Sequence, residues 1–221
     1  MAYLIRVSIP DVPGSLGDLA EAFGLAGANI KSVDIVHTSP DGMVTDDIVV
    51  ELPTGTMIDT VITASAEVEG VEVDSIRPFT GRVDRRGQVQ MLARVAQVSK
   101  NRSNALSELV NLMPRTMTSS WAVVLQNVGD GMERVAASDA APSDDGSRPP
   151  VIELDGPRVL DAESEPWVPE GWGLLDTALA VAPLTGTDLV LVVGRVGGPD
   201  YLASEVTHVG DLGAIIGAML R

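Results

Sequence analysis

The sequence predicts an α+β fold in two parts, and three observations lead to this prediction. Apolar residues alternate along several short β-branched runs, whereas other stretches repeat them at the three- and four-residue spacing of a helix. Hydrophobic residues make up 45% of the 221 residues, which is enough for substantial cores. The charged, glycine-bounded stretch 81–87 (GRVDRRG) separates the two parts. We therefore expect a first domain over 1–80, a linker over 81–90 and a second domain over 91–221.

The first eighty residues are expected to form the order βαββαβ. Strands are predicted where apolar residues alternate or β-branched residues cluster, at 3–9, 29–37, 44–52 and 71–79. Two helical stripes lie between the strands and consist of Leu16, Leu19, Ala20 and Phe23, and of Met57, Val61, Ile62 and Ala66. The Ser39–Gly42 turn joins the two middle strands as a hairpin. This order is the split βαβ arrangement of ferredoxin-like folds.

The second domain is expected to begin with one long helix over 88–119, which Pro114 breaks or bends. Five strands are predicted after it, at 121–128, 133–138, 151–154, 177–184 and 189–196. The stretch 140–150 (AAPSDDGSRPP) is rich in proline and acidic residues, which indicates a loop. A final helix begins near Ala203, with Ser204 as its candidate N-cap.

Charge and composition limit the classes of partner. The formal net charge is −16, with −10 on residues 1–80, +5 on residues 81–120 and −11 on residues 121–221. The acidic ends repel phosphate backbones and the basic middle lacks interleaved aromatic residues, so nucleic acid is not the expected partner. No uncharged apolar run reaches the roughly 18 residues of a membrane span, and no signal peptide is expected. The absence of cysteine excludes disulfides and thiolate metal sites and is compatible with a cytoplasmic location.

The sequence pattern does not bring catalytic side chains together. His37 and His208 fall in different predicted domains. Asp46 and Asp47 are adjacent on a predicted strand, so their side chains point to opposite faces. The stretch 194–198 (GRVGG) follows a strand but lacks the lysine and hydroxyl residue of a phosphate-binding loop. We therefore expect a protein that is not an enzyme and that has no metal or cofactor.

The stretch 9–19 (IPDVPGSLGDL) is the best candidate site. A helix N-terminus presents unpaired N–H groups, and Gly14 would let a carboxylate approach that backbone. Asp11 would accept a hydrogen bond from an ammonium group, and a carboxylate and an ammonium together describe a free amino acid. In the alternative interpretation, Asp11 caps the helix and Pro13 presets the backbone of its first turn. The residues alone leave both interpretations open.

The first eighty residues resemble an ACT domain, a small regulatory module attached to amino-acid metabolic enzymes and their regulators. The resemblance rests on the βαββαβ order, the loop 11–16 (DVPGSL) and the stretch 27–30 (GANI) at the start of the second strand. It implies side-by-side dimers that bind an amino acid between that loop and the start of the second strand, often of the neighbouring protomer. The ligand-binding residues that it implies are Asp11, Val12, Pro13, Gly14, Ser15, Leu16, Asn29 and Ile30.

The second domain resembles a GAF domain. The resemblance rests on the long leading helix, the strands at 178–184 and 189–196, and the ending GGPDYLASEVTHVGDLGAIIGAML. It implies an α+β domain with an antiparallel sheet. We therefore predict a non-enzymatic, homodimeric, cytoplasmic sensor that binds an amino acid or similar small molecule and relays this to a protein partner. The alternative is a dimerisation and interaction scaffold that binds no ligand.

Overall fold

Two antiparallel sheets, one in each half of the chain, organise the protein. In the computed structural model, which describes residues 1–79 and 85–221, the chain divides into the units Met1–Asp84 and Arg85–Arg221. The predicted linker covered 81–90. Its residues 81–84 lie outside the described residues, and from Arg85 onward the chain is helical and belongs to the second unit.

The first unit is a four-stranded sheet with two helices on one face. Its elements are β1 (Ala2–Pro10), α1 (Ser15–Leu25), β2 (Asn29–Thr38), β3 (Met43–Glu51), α2 (Asp59–Ala66) and β4 (Glu72–Pro78). This is the element order that the sequence predicts, and the strands lie in the order β2-β3-β1-β4 with antiparallel pairing throughout. Alternate residues of β1, such as Ile5 and Val7, pack against Leu19 and Phe23 of α1 and Val61 of α2.

The other face of this sheet carries a buried ion pair. Arg6 of β1 lies directly opposite Asp47 of β3, and its Nε donates to Asp47 Oδ1 over 2.7 Å. Both side chains are at most 3% exposed. Because a second hydrogen bond joins the guanidinium to the other carboxylate oxygen at 2.9 Å, the pair is bidentate and both charges are satisfied.

The second unit is a five-stranded antiparallel sheet covered on both faces. Its elements are α3 (Arg85–Val98), α4 (Arg102–Thr116), β5 (Trp121–Val128), β6 (Gly131–Ala137), β7 (Arg158–Leu160), β8 (Ala178–Pro183), β9 (Leu189–Arg195) and α5 (Ala203–Met219). The strand order is β6-β5-β9-β8-β7. The helices α3, α4 and α5 bury one face of the sheet. The mostly irregular segments on either side of β7, 139–157 and 161–176, pack on the other face with Trp167 and Trp172.

Several sequence predictions for this unit are wrong in detail. The long helix over 88–119 is two helices, because the side chain of Asn101 accepts from the N–H of Asn104 and starts α4. Pro114 lies inside the last turn of α4 and does not end it. Residues 151–154 form no strand, whereas β7 pairs with β8 a few residues later. These differences depend on side-chain hydrogen bonds and sheet pairing, which apolar periodicity does not report.

Arg195 at the end of β9 ties three elements of the second unit together. Its guanidinium is fully buried and donates to Glu205 Oε1 at 2.5 Å and to Thr118 Oγ1 at 2.8 Å. It also lies 4.1 Å from the centre of the Tyr201 ring. Glu205 in turn accepts from the N–H of Leu202 at 2.9 Å, so Leu202 is the N-cap of α5. The prediction of Ser204 as N-cap is therefore wrong.

None of the described helices has both the length and the apolar character that crossing a membrane requires.

Candidate functional site

The loop after β1, which is the first part of the predicted site, lies on the surface. Its exposed residues are Asp11, Val12, Pro13, Gly14 and Leu16, and Ser15 is half-buried. The N–H of Asp11 donates to the carbonyl oxygen of Gly42 at 2.8 Å, which ties the loop to the β2–β3 turn. The loop is therefore held in place while most of its side chains remain accessible.

Gly14 is the N-cap of α1, and its φ of 107° lies in the left-handed region that favours glycine. A Cβ there would meet no atom within 4 Å, so the backbone conformation demands glycine and the space in front of it is open. No side chain makes a capping hydrogen bond to α1. The interpretation in which Asp11 caps the helix is therefore wrong. The N-terminus of α1 faces open space at Gly14, which we call the mouth of the site.

Asn29 and Ile30 lie at the opposite end of the sheet from this loop. Pro10 pairs with Met43 at one end of β3, whereas Asn29 pairs with Glu51 at the other end. At the rise of an antiparallel strand, the two ends are about 27 Å apart. Ile30 packs against the helix-side core and Asn29 is exposed. Within one chain, the two parts of the predicted site therefore do not come together.

Asp46 of β3 is a functional candidate that was not predicted from the sequence. Asp46 and Asp47 point to opposite faces, as predicted: Asp47 pairs with Arg6, whereas Asp46 lies on the helix-side face between Val44 and Ile48. Asp46 is 2% exposed, and its Oδ1 is buried without a hydrogen bond. In the sequence, strand alternation already places Asp46 on the same face as the apolar residues 44, 48 and 50. This pattern could have identified Asp46 as a candidate.

The environment of Asp46 opposes its ionisation. Burial raises the pKa of its carboxyl, and the negative charges of Asp47, Asp34 and Asp11 raise it further, to about 6. At neutral pH the group is therefore mostly ionised in surroundings that disfavour its charge. The neighbours across the sheet are apolar, Val7 on β1 and Ile35 on β2.

Large apolar residues are exposed both on the edge strand β2 and on the loop. Ile35, which lies directly opposite Asp46 in the β2–β3 register, is 65% exposed. Val12 and Leu16 of the loop are also exposed large apolar residues. Exposed large apolar side chains near polar groups are available for contact with a ligand or partner.

Two concave regions lie elsewhere in the described part of the chain. A groove of about 440 Å³ lies between α1 and α2, and its lining includes Asp18, Glu21 and Glu67 together with several alanines. In the second unit, a cavity of about 20 Å³ beside Trp172 has room for no more than about one water. Among the described residues, no group of three histidine, aspartate or glutamate side chains is placed to hold a metal ion.

Neither the tryptophans nor the glycine-rich stretch of the second unit forms a site. Trp172 is buried and packs edge-to-face on Trp121, with ring centres 5.7 Å apart. Gly194 lies inside β9, where a Cβ would come within 2.1 Å of the Trp121 ring. Gly194 is therefore a packing position, whereas Gly197 and Gly198 have positive φ angles and open space around them.

Comparison with known proteins gives matches among solved structures alone. No family model and no curated protein matches the chain. A free methionine-R-sulfoxide reductase from Neisseria meningitidis has a TM-score of 0.48 at 12% identity, covering 65% of this chain and 95% of that one. The corresponding reductase from Staphylococcus aureus (fRMsr) has a TM-score of 0.45 at 10% identity, covering 60% and 94%. The GAF domain of a phosphoenolpyruvate-protein phosphotransferase from Coxiella burnetii has a TM-score of 0.45 at 14% identity, covering 61% and 93%.

The structure itself shows an α+β fold with antiparallel sheets. GAF domains are among the solved structures that the chain is similar to, and these comparisons do not show the ACT resemblance of the first unit. They also correct one prediction. We expected a protein that is not an enzyme, but two of the similar structures are methionine-R-sulfoxide reductases, which are enzymes. The similar structures thus include both enzymes and GAF domains.

Proposed function

We propose that the first unit is an ACT-like module that binds a free amino acid at the N-terminus of α1. The observation that carries the proposal is the mouth at Gly14, where the helix has no side-chain cap and no atom fills the space of a Cβ. The first N–H groups of a helix and the positive end of its dipole attract a carboxylate. The exposed side chain of Asp11 is available to an ammonium group.

Pairing of two copies through β2 would complete the predicted site. Among the described strands, β2 pairs with β3 alone, so it is an edge of the sheet. If two β2 strands pair antiparallel about a twofold axis, the Asn29 end of one lies beside the Thr38 end of the other. Thr38 pairs with Val44, at the end of the sheet where the 11–16 loop lies. The start of β2 in one copy would then lie near the 11–16 loop of the other copy. Within one chain these two segments are far apart.

The chain would act as a small-molecule sensor, with the GAF-like fold as support for a regulatory role. Binding can shift a conformational equilibrium only if the amino acid has a higher affinity for one arrangement than for the other. The arrangement with higher affinity would then be the one that a protein partner recognises.

Calorimetric titration with the twenty amino acids tests this function. We expect at least one of them to bind the wild-type protein at millimolar concentration or below. Gly14→Asp, which places a carboxylate in the mouth, is expected to weaken that binding by about tenfold or more through charge repulsion. Gly55→Asp is the matched control, because Gly55 also has a positive φ, of 92°, and open space around it. Equal binding by the two variants, or no binding by wild type, would contradict the proposal.

Mixing two variants tests whether the site is shared between protomers. In a hybrid dimer of a Gly14→Asp chain and an Asn29→Ala chain, one site carries both changes and the other carries neither. We expect each variant alone to bind poorly and the mixture to regain binding at the unchanged site. A mixture that binds no better than the separate variants would contradict the shared site.

A further inference from the structure

One carboxylate oxygen of Asp46 has no hydrogen-bond partner in the described part of the chain. Its Oδ1 is buried and accepts no hydrogen bond. The adjacent Asp47 is satisfied by Arg6, so that arginine is not available to Asp46. Buried charges in native proteins are normally paired, because an unpaired charge costs several kcal/mol. An orphaned carboxylate at this position therefore indicates a partner that comes from outside the chain.

We propose that the ligand of the first unit is a cationic amino acid, whose side-chain cation pairs with Asp46 while its α-carboxylate lies at the N-terminus of α1. This inference rests on the proposed function and names the class of ligand. Asp46 is then the residue that determines specificity at the site.

The charges around Asp46 favour a cation. The charged groups that act on its carboxyl come from three elements and are all acidic: Asp47 on β3, Asp34 on β2 and Asp11 on the loop. An anionic side chain would be repelled by this set, and a neutral one would leave Asp46 unpaired. A metal ion needs several oxygen ligands, and no suitable group of three is present among the described residues. An organic cation requires only one carboxylate and fits this site better.

The spacing along the strands suits a long basic side chain. Asp46 is three residues from Met43, which pairs with Pro10 where the loop begins. This separation is about 10 Å along β3, the distance that a ligand must span between α1 and Asp46. A lysine or arginine ligand has a stem of three or four methylenes for this span. Asp46 and α1 lie on the same face of the sheet, which is the geometric requirement for one ligand to contact both.

The exposed apolar residues provide a surface for that stem. Ile35 lies opposite Asp46, and Leu16 is in the first turn of α1. Both side chains are exposed. The methylene groups of lysine and arginine pack on apolar surface while the charged group reaches a polar partner. The arrangement therefore matches both the charge and the shape of a basic side chain.

Paired ligands with and without the side-chain charge test the inference on the full chain. Lysine and arginine are titrated beside norleucine and citrulline, which keep the stem but lack the cation. We expect the cationic member of at least one pair to bind about 30-fold or more tightly than its neutral analogue. In Asp46→Asn this preference is expected to disappear, whereas Asp18→Asn, a change of an exposed carboxylate on α1, should preserve it.

The outcomes separate this inference from the proposed function. Equal binding of cationic and neutral ligands, unchanged in Asp46→Asn, would overturn the role of Asp46 and leave amino-acid binding standing. Thermal shift with n-pentylamine, which has a stem and a cation but no carboxylate, addresses Asp46 separately. A rise in the melting temperature of wild type that Asp46→Asn lacks would support the cation site even if the α1 site fails. No response to any amino acid or to the amine would overturn both.

Discussion

Replacing Arg195 by leucine is expected to lower the free energy of unfolding of the second unit by about 3–5 kcal/mol. The guanidinium is fully buried and supplies hydrogen bonds to Glu205, to Thr118 and to the loop before α5. Its removal leaves the largely buried carboxylate of Glu205 without a cation and the carbonyl oxygen of Thr118 without its donor. A substitution that leaves a buried charge without its partner is among the most destabilising single changes.

Urea unfolding followed by tryptophan fluorescence measures this effect, because all three tryptophans belong to the second unit. Arg102→Leu is the control, since Arg102 forms an ion pair with Asp188 in which both side chains are at least 40% exposed. That change is expected to cost about 1 kcal/mol or less. Similar losses for the two variants would contradict the structural role of Arg195.

Removing the charge of Asp46 and removing the charge of Asp47 are expected to change the stability of the first unit in opposite directions. Asp47→Asn leaves the buried guanidinium of Arg6 without its carboxylate, and we expect it to destabilise the first unit by about 3–5 kcal/mol at neutral pH. Asp46→Asn removes an unpaired buried charge, and we expect it to stabilise the unit by about 1–3 kcal/mol at pH 8.

The effect of Asp46 depends on pH in a defined direction. Its pKa in the folded protein is raised to about 6 from an ordinary 3.8, so the unfolded chain loses the proton at lower pH than the folded one. The contribution of Asp46 to stability therefore falls as the pH rises from about 4 to about 6 and stays low above that. Asp46→Asn should abolish this loss and have no such stabilising effect at pH 4.

Hydrogen exchange at the amides of β1 and β3 measures the stability of the first unit separately from the second. Wild type, Asp46→Asn and Asp47→Asn are compared at pH 4 and pH 8. The measured rates are first corrected for the pH dependence of intrinsic amide exchange. A gain for Asp46→Asn that is as large at pH 4 as at pH 8 would contradict the raised pKa. A stabilised Asp47→Asn would contradict the paired state of Arg6.

Together, these expectations describe a site in which Asp46 lowers the stability of the free first unit and would favour binding of a cation. An unpaired carboxylate in an apolar layer lowers the stability of the free protein, and a ligand cation would remove that penalty on binding. The first unit would then be more stable with ligand than without it, which is a physical basis for coupling occupancy to a partner. Substitutions that stabilise such a site commonly reduce its function.

The sequence by itself determined the local structure of the first unit. Apolar spacing identified β1 to β4 with α1 and α2 in their observed order, because strand and helix periods are properties of short segments. It also placed Asp46 and Asp47 on opposite faces, since strand side chains alternate. The exposed loop at 11–16 followed from its proline and glycine.

Only the tertiary structure decided which distant groups meet. The ACT resemblance implied a site between the loop and Asn29, often of the neighbouring protomer, but within one chain the register of β1 and β2 on β3 puts them at opposite ends of the sheet. The bond between Arg6 and Asp47 links residues 41 positions apart, and that between Arg195 and Thr118 links residues 77 apart. The orphaned carboxylate of Asp46 is likewise defined by what lies around it in three dimensions. Such relations depend on packing between distant segments, whereas apolar periodicity reports only the structure of each segment.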